Sequence, residues 1–359
     1  MSRIRVLIVD DSVVIRRLLA DSLAVDPRVE VVATAANGQL ALAKLATTAI
    51  DVVILDVEMP VLDGLQTLRE IRRTNRRLPV IMFSTLTERG ARITIEALAS
   101  GASDYVTKPA NVGSVAESRE AIRTQLLPRV LALGGSPAAA PRAVPAPAPV
   151  IPARPAPPPT QVPSVLVIGS STGGPEALGA LLPQLPASLP VPVLIVQHMP
   201  PLFTTLLAER LNRTTALAVR EAAGGEPLLP GTVYLAPGDF HLEVTAGHGR
   251  SRTALTSAPP EHYCRPSVDV LFRSAARCYG AGVLAVVLTG MGSDGRDGAG
   301  QIVRAGGQVL AQDRESSVVW GMPGAVAGAG LAAETLPLDQ IAGAIVHRVH
   351  RASRASTAV

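Results

Sequence analysis

Serine is a weak nucleophile until a neighbouring base takes its proton, so it becomes interesting where a histidine and a carboxylate can reach it. Residues 165–174 read VLVIGSSTGG, a short apolar run that breaks into a Gly/Ser turn. Pro175 suits the first position of the helix that follows. Ser170 and Ser171 both stand on this strand-to-helix turn, the place where hydrolases expose a nucleophile. His198 closes a second apolar run, Val193–Gln197, 27 residues after Ser171. Two adjacent parallel strands joined by one helix would set Ser171 and His198 side by side. A third run, Val283–Leu288, leads into TGMGSDG, which carries Asp294; Asp297 and Asp313 are the alternative carboxylates. The chemistry is acyl transfer. A neutral imidazole takes the hydroxyl proton, and a carboxylate on the other ring nitrogen stabilises the imidazolium. Backbone N–H groups near Met291, in the glycine loop, could hold an oxyanion.

A second set of polar residues lies in the first third of the chain. Asp10 and Asp11, Asp56, Ser84 and Lys108 each follow an apolar run. Three carboxylates brought together repel one another and raise their pKa values unless a cation intervenes. Hard oxygen ligands, few in number, favour Mg2+. Asp56 then becomes an in-line acceptor of a phosphoryl group, with Lys108 and the Ser84 hydroxyl holding the new oxygens.

Both sets need sheets to position them. Strand-like runs at Ile4–Val9, Val29–Ala33, Val52–Leu55, Val80–Phe83 and Asp104–Thr107 alternate with helical periods around Val13–Val25, Gln39–Ala46, Gly64–Asn75, Glu88–Ser100 and Ser114–Val130. Five alternations predict a parallel sheet with helices on both faces and ligands at the C-terminal strand ends. Residues 134–163 hold eleven prolines and eight alanines with no acidic or aromatic residue. Such a stretch buries too little to fold and reads as a polyproline-like linker. Beyond it, Val165–Ile168, Val193–Gln197, Val233–Ala236, Val283–Leu288 and Gln308–Ala311 read as strands, with Ala254–Thr256 in a hairpin-like excursion. Helices are expected at Gly179–Leu189, Pro266–Tyr279, 298–305 and 338–350, with Asp269, Arg273 and Arg277 spaced on one face and Trp320–Pro323 in a loop. The expected organisation is therefore two α/β domains, residues 1–133 and 164–350, joined by the 134–163 linker and followed by a tail at 351–359.

Charge narrows the partners. Residues 1–133 carry 17 basic and 15 acidic side chains, and residues 164–359 carry 14 of each, so no basic face for nucleic acid is implied. The turn glycines 169, 173 and 174 do not fit G-x-G-x-x-G, which argues against a dinucleotide loop. Cys264 and Cys278 lack zinc or disulfide spacing and read as reduced thiols. With no apolar run near 18 residues, membrane insertion is not expected, and a cytoplasmic location is.

Two resemblances follow from these motifs. The DD pair at the first strand end, LDVEMPVLDG around Asp56 and the Lys108–Pro109 step resemble a response-regulator receiver domain. That resemblance implies a flavodoxin-like five-stranded sheet in the order 2-1-3-4-5, phosphotransfer to Asp56 from a histidine kinase, and Mg2+ on Asp10, Asp11, Asp56 and the Glu58 carbonyl. It also implies switch roles for Ser84 and Tyr105 beside Lys108, and a cis Lys108–Pro109 bond. IGSSTGGPEAL, QHMPPLFT, YLAPGDFHL, RPSVDVLF, LTGMGSDG and AQDRESSVVWGMPGAV resemble the catalytic domain of chemotaxis protein-glutamate methylesterases. Here the resemblance implies Ser171 as nucleophile, His198 as base, Asp294 as third member and Met291 as oxyanion contributor, without metal or organic cofactor in this half. It implies hydrolysis of glutamate methyl esters, and deamidation of glutamines, on methyl-accepting chemoreceptors. The expected control is docking of the receiver on the catalytic domain within the chain, weakened by phosphorylation of Asp56. A tether of this kind gives an effective concentration near mM.

Overall fold

The computed structural model describes residues 3–109, 115–135, 161–247 and 249–350. The linker centred on 136–160 and the tail at 351–359 lie outside them. The chain divides into two compact units, Met1–Ala146 and Pro147–Val359.

The first unit alternates strand and helix: β1 Ile4–Val9, α1 Val13–Leu23, β2 Val29–Ala35, α2 Gly38–Thr47, β3 Val52–Asp56, α3 Gly64–Thr74, β4 Val80–Ser84, α4 Glu88–Ala99, β5 Asp104–Thr107 and α5 Val115–Gly134. The strands pair in parallel in the order β2-β1-β3-β4-β5, the order expected. β3 and β4 are buried along their whole length, as strands covered by helices on both faces must be. Capping is local and legible: Ser12, Asn37, Asp63 and Thr87 each accept from a backbone N–H in the first turn of their helix.

The second unit continues with β6 Val165–Ser170, α6 Gly174–Leu181, β7 Val193–Gln197, α7 Phe203–Thr214, β8 Ala218–Glu221, β9 Thr232–Leu235, β10 His241–Thr245, β11 Arg252–Thr256, α8 Val268–Tyr279, β12 Val283–Val287, α9 Arg296–Arg304, β13 Gln308–Gln312, α10 Met322–Gly328, β14 Glu334–Leu336 and α11 Leu338–Val349. Seven strands form one sheet in the order β14-β13-β12-β6-β7-β9-β8, every pairing parallel, while β10 and β11 form an antiparallel hairpin. The three strands carrying the candidate residues, β12, β6 and β7, are neighbours at its centre.

Several expectations are corrected. The helix after the 171–174 turn opens with Gly174 and Pro175 as expected but ends at Leu181, short of Leu189. α8 begins at Val268, with Ser267 as its N-cap. Trp320 bridges Gly290, and α10 starts at Met322, so 320–323 is not all loop. Lys108–Pro109 is not cis; among the described residues the cis bond is Arg265–Pro266. An X–Pro bond separates its isomers by only about 0.5–1 kcal/mol, so the dipeptide alone does not choose between them.

Candidate functional site

The turn after β6 is built by close approach. Gly173 has φ of 77°, a conformation natural to glycine, and a Cβ there would meet Val318 Cβ at 2.6 Å. A Cβ on Gly169 would lie 2.4 Å from Val268 Cγ1, so only a bare α-carbon lets the start of α8 rest on β6. β6 and β7 pair Ser170 with Gln197, which sets Ser171 and His198 at the next position of each strand. The His198 N–H donates to the Ser170 carbonyl at 3.1 Å. Ser170 is fully buried and its Oγ donates to Gln197 Oε1 at 2.7 Å, while Ser171 keeps partial exposure. Of the two serines, only Ser171 is therefore open to a substrate. Gln197 Nε2 donates to the carbonyls of Ser171 (3.0 Å) and His198 (3.3 Å). A Cβ on Gly174 would strike Gln197 Oε1 at 1.9 Å.

Asp294 Oδ2 lies 2.8 Å from His198 Nε2. Among the three candidate carboxylates it is the one that reaches the ring: Asp297 is exposed beside Arg296, and Asp313 binds the Ser316 backbone and hydroxyl. Asp294 is nearly inaccessible, yet fully satisfied. Its Oδ1 accepts from Ser267 Oγ and the Asp269 N–H, both at 2.9 Å, and Oδ2 also accepts from the Val268 N–H at 2.7 Å. The carboxylate thus closes the N-terminus of α8, where free N–H groups and the helix dipole favour negative charge. Burial works against its ionisation, but His198 and the Asp269 and Val268 N–H groups outweigh it and bring Asp294 down to about 2. For His198 burial opposes the imidazolium, while Asp294 and then Cys264 favour it, and the net pKa lies above the ordinary imidazole value. Asp294 takes Nε2, and Cys264 Sγ stands 3.5 Å from the other ring nitrogen, Nδ1.

Met291 follows a locked residue. Gly290 donates to the Val319 carbonyl and accepts from Gly321 and Met322. A Cβ on Gly290 would sit 2.9 Å from Ser171 Cβ. Among the described residues nothing accepts from the Met291 N–H, which leaves a donor one residue from the point where the loop touches Ser171. Sequence reasoning missed Ser267, Gln197 and Cys264. Ser267 was recoverable as an N-cap residue type at a helix start; the other two carry no sequence signal.

In the first unit Asp10, Asp11 and Asp56 bring carboxylate oxygens within 4.8 Å of one another. Lys108 Nζ bridges Asp10 and Asp56 at 2.9 Å each. Burial raises Asp56 to about 6 against the pull of Lys108, and the Asp10 charge adds to the rise. Two buried carboxylates and one at the surface, with one ammonium between them, make a donor set that a hard divalent cation fits. The Glu58 N–H reaches Asp56 Oδ1 at 3.4 Å, and the Glu58 side chain pairs with Arg89 at 3.3 Å, leaving its carbonyl as the ligand atom the resemblance names. Ser84 is wholly buried, its Oγ donating to the Thr85 carbonyl at 3.2 Å, and Tyr105 is buried beside Asp104 and Arg129, with burial raising its pKa.

Residues 166–345 match the family model described as CheB methylesterase, and residues 6–119 match that of the response regulator receiver domain. A protein-glutamate methylesterase/protein-glutamine glutaminase of Nocardioides sp. is 58% identical over 355 residues, covering 98% of this chain and 97% of its own. Its counterpart from Trichodesmium erythraeum is 48% identical over 353 residues, covering 97% and 100%. The crystal structure of the Thermotoga maritima CheB methylesterase catalytic domain matches with a TM-score of 0.51 at 44% identity, over 52% of this chain and 99% of that one. No helix among the described residues is long and apolar enough to cross a membrane.

Proposed function

Because the chain belongs to the CheB methylesterase family, with a response-regulator receiver domain ahead of the catalytic one, we propose that it hydrolyses glutamate γ-methyl esters on chemoreceptors through Ser171, His198 and Asp294. The reading rests on one observation: His198 stands next in register to Ser171, with Nε2 held by Asp294 at 2.8 Å and only the Cys264 thiol, at 3.5 Å, on Nδ1. Ser171 Oγ attacks the ester carbonyl as its proton passes to Nδ1, and the Met291 N–H faces the developing oxyanion. Asp294 stabilises the imidazolium, which then protonates the departing methoxide as methanol. Water, deprotonated by the same nitrogen, cleaves the glutamyl-enzyme. An amide in place of the ester gives glutaminase chemistry with ammonia as the leaving product.

The receiver supplies control in this proposal. Asp56 accepts a phosphoryl group from a histidine kinase, and Lys108, which already reaches the Asp56 carboxylate, holds its oxygens together with the Ser84 hydroxyl. Asp10, Asp11, Asp56 and the Glu58 carbonyl would hold Mg2+, which when bound neutralises charge at this cluster. The unphosphorylated receiver restrains the esterase, so removing residues 1–133 should raise the rate; an unchanged or lower rate refutes restraint. The test of the activity is methanol release from methylated receptor, comparing the intact chain with Ser171→Ala. Release should fall to background, since the covalent route needs that oxygen; retention of the full rate refutes the assignment.

A further inference from the structure

Cys264 faces the one ring nitrogen that Asp294 does not hold, at 3.5 Å from Nδ1 of His198. We propose that Cys264 is a positioning residue for the catalytic base: its sulfur pairs with Nδ1, donating to the neutral ring and accepting from the imidazolium, and so keeps the ring in the orientation from which it accepts the Ser171 proton. The inference rests on the Ser171–His198–Asp294 reading. With both nitrogens engaged the ring neither flips nor exchanges its Nε2 proton for an Nδ1 proton. A thiol is a weak donor, so the incoming serine hydroxyl displaces it easily. A strong donor would hold the lone pair that catalysis needs.

The backbone around Cys264 is shaped for this contact. Glu261 and Cys264 exchange both backbone hydrogen bonds, at 3.1 and 2.8 Å, around His262 and Tyr263. Those two central residues have φ of 50° and 62°, the pattern of a tight primed turn normally filled by Asn and Gly. Non-glycine residues persist in this region only where their surroundings over-determine them, and such strain gathers at functional sites. Two ties hold the turn to α8. The Glu261 carboxylate pairs with Arg273, and His262 Nε2 lies 3.0 Å from Asp269 Oδ2. The helix whose first N–H groups fix Asp294 therefore also anchors the turn that carries the thiol. Thiol and carboxylate address the two nitrogens of one ring from a common frame. Asp294 is the charged side chain in contact with the ring, and the Asp269–His262 and Glu261–Arg273 pairs tie the thiol-bearing turn to α8.

The test reads the thiol directly in the intact chain. Iodoacetamide alkylation is followed by mass at Cys264, with Cys278 as the internal standard, since both are free and partly accessible. In that reaction sulfur bonds the acetamide carbon, iodide leaves and the thiol proton passes to Nδ1. At pH 7 Cys264 should react about tenfold faster than Cys278 and lose that advantage in His198→Gln, because thiol reactivity follows access to a proton acceptor. An alkylation rate at Cys264 that ignores His198 overturns the proposal. On p-nitrophenyl acetate, Cys264→Ala should lower kcat several-fold and displace the pH–rate profile, and Cys264→Ser, a stronger donor, should restore the profile while leaving kcat below wild type. A wild-type profile in Cys264→Ala refutes positioning. Coupled alkylation in a chain that lacks esterase activity would overturn the catalytic reading while leaving the contact in place.

Discussion

Replacing Asp294 with asparagine keeps the shape of the side chain and removes its charge and one acceptor. Four donors converge on this carboxylate, from His198, Ser267, Val268 and Asp269. An amide has two ways to sit among them. With its oxygen toward Ser267 and Asp269, the NH2 faces His198 and Val268. The ring must then accept at Nε2, which puts its proton on Nδ1 and disables the base. With the oxygen toward His198 and Val268, the NH2 meets the Asp269 N–H, and the tautomer survives without the charge that stabilises the imidazolium. Either arrangement leaves one helix N–H buried and unsatisfied, a cost of about 1–3 kcal/mol. Asp294→Asn should therefore lower the melting temperature of the catalytic unit by roughly 2–12 °C, at about 2–4 °C per kcal/mol for a domain of this size. The catalytic loss should be larger, about 10³–10⁴-fold in kcat, or roughly 4–5 kcal/mol of barrier. Methanol release from methylated receptor and scanning calorimetry measure the two effects separately. An asparagine variant that keeps its melting temperature and a rate within tenfold of wild type would refute the assignment of Asp294 as the orienting carboxylate.

Five further outcomes are expected. The kcat–pH profile should rise with pH with its midpoint above 6.5, because His198 must lose a proton to act and its pKa is raised. The same shift makes protonation of His198 stabilising: that contribution is complete below about pH 6.5 and is lost as pH rises through the folded value, so His198→Gln should flatten the alkaline decline in melting temperature. Mg2+ should raise the melting temperature of the receiver more at pH 7 than at pH 5, since Asp56 titrates near about 6, and Asp11→Ala should abolish the rise. Gly169→Ala drives a methyl into Val268 at the start of α8, so it should cost about 1–3 kcal/mol in chemical denaturation and lower kcat as well. Ser170→Ala should retain esterase activity within a few-fold while losing about 1 kcal/mol from the orphaned Gln197 oxygen; activity as low as that of Ser171→Ala would contradict the choice between the two serines.

The centre of each sheet was legible and the edges were not. β12, β6 and β7 are buried at every position, so they read as unbroken apolar runs. β8 and β14, the two outermost strands of the large sheet, are AVRE and ETL and largely exposed; a strand with one solvated side leaves no run to find. Ser171 and His198 could be paired from sequence because one helix between parallel strands fixes their adjacency. Choosing Asp294 over Asp297 and Asp313 needed the start of α8, which tertiary packing brings over the loop from elsewhere in the chain. The acidic cluster of the first unit was legible because each member ends a strand of a sheet whose order the alternation dictates. Cys264 was invisible for the opposite reason: its position comes from a turn that breaks local backbone preference at His262 and Tyr263.

Gln197 touches no substrate in the proposed chemistry, yet its single amide spans the gap between the two halves of the proton-transfer pair. Oxygen and nitrogen are not interchangeable there: one end takes the Ser170 hydroxyl and the other gives to two carbonyls, while the absent side chain of Gly174 makes the room. Positions 170, 174 and 197 therefore form a three-part lock that mutation can open only one piece at a time. Gly174→Ala, which drives a methyl into the glutamine, should slacken the serine-to-imidazole distance and slow the enzyme, whereas Ser170→Ala removes one tie and leaves the other two in place.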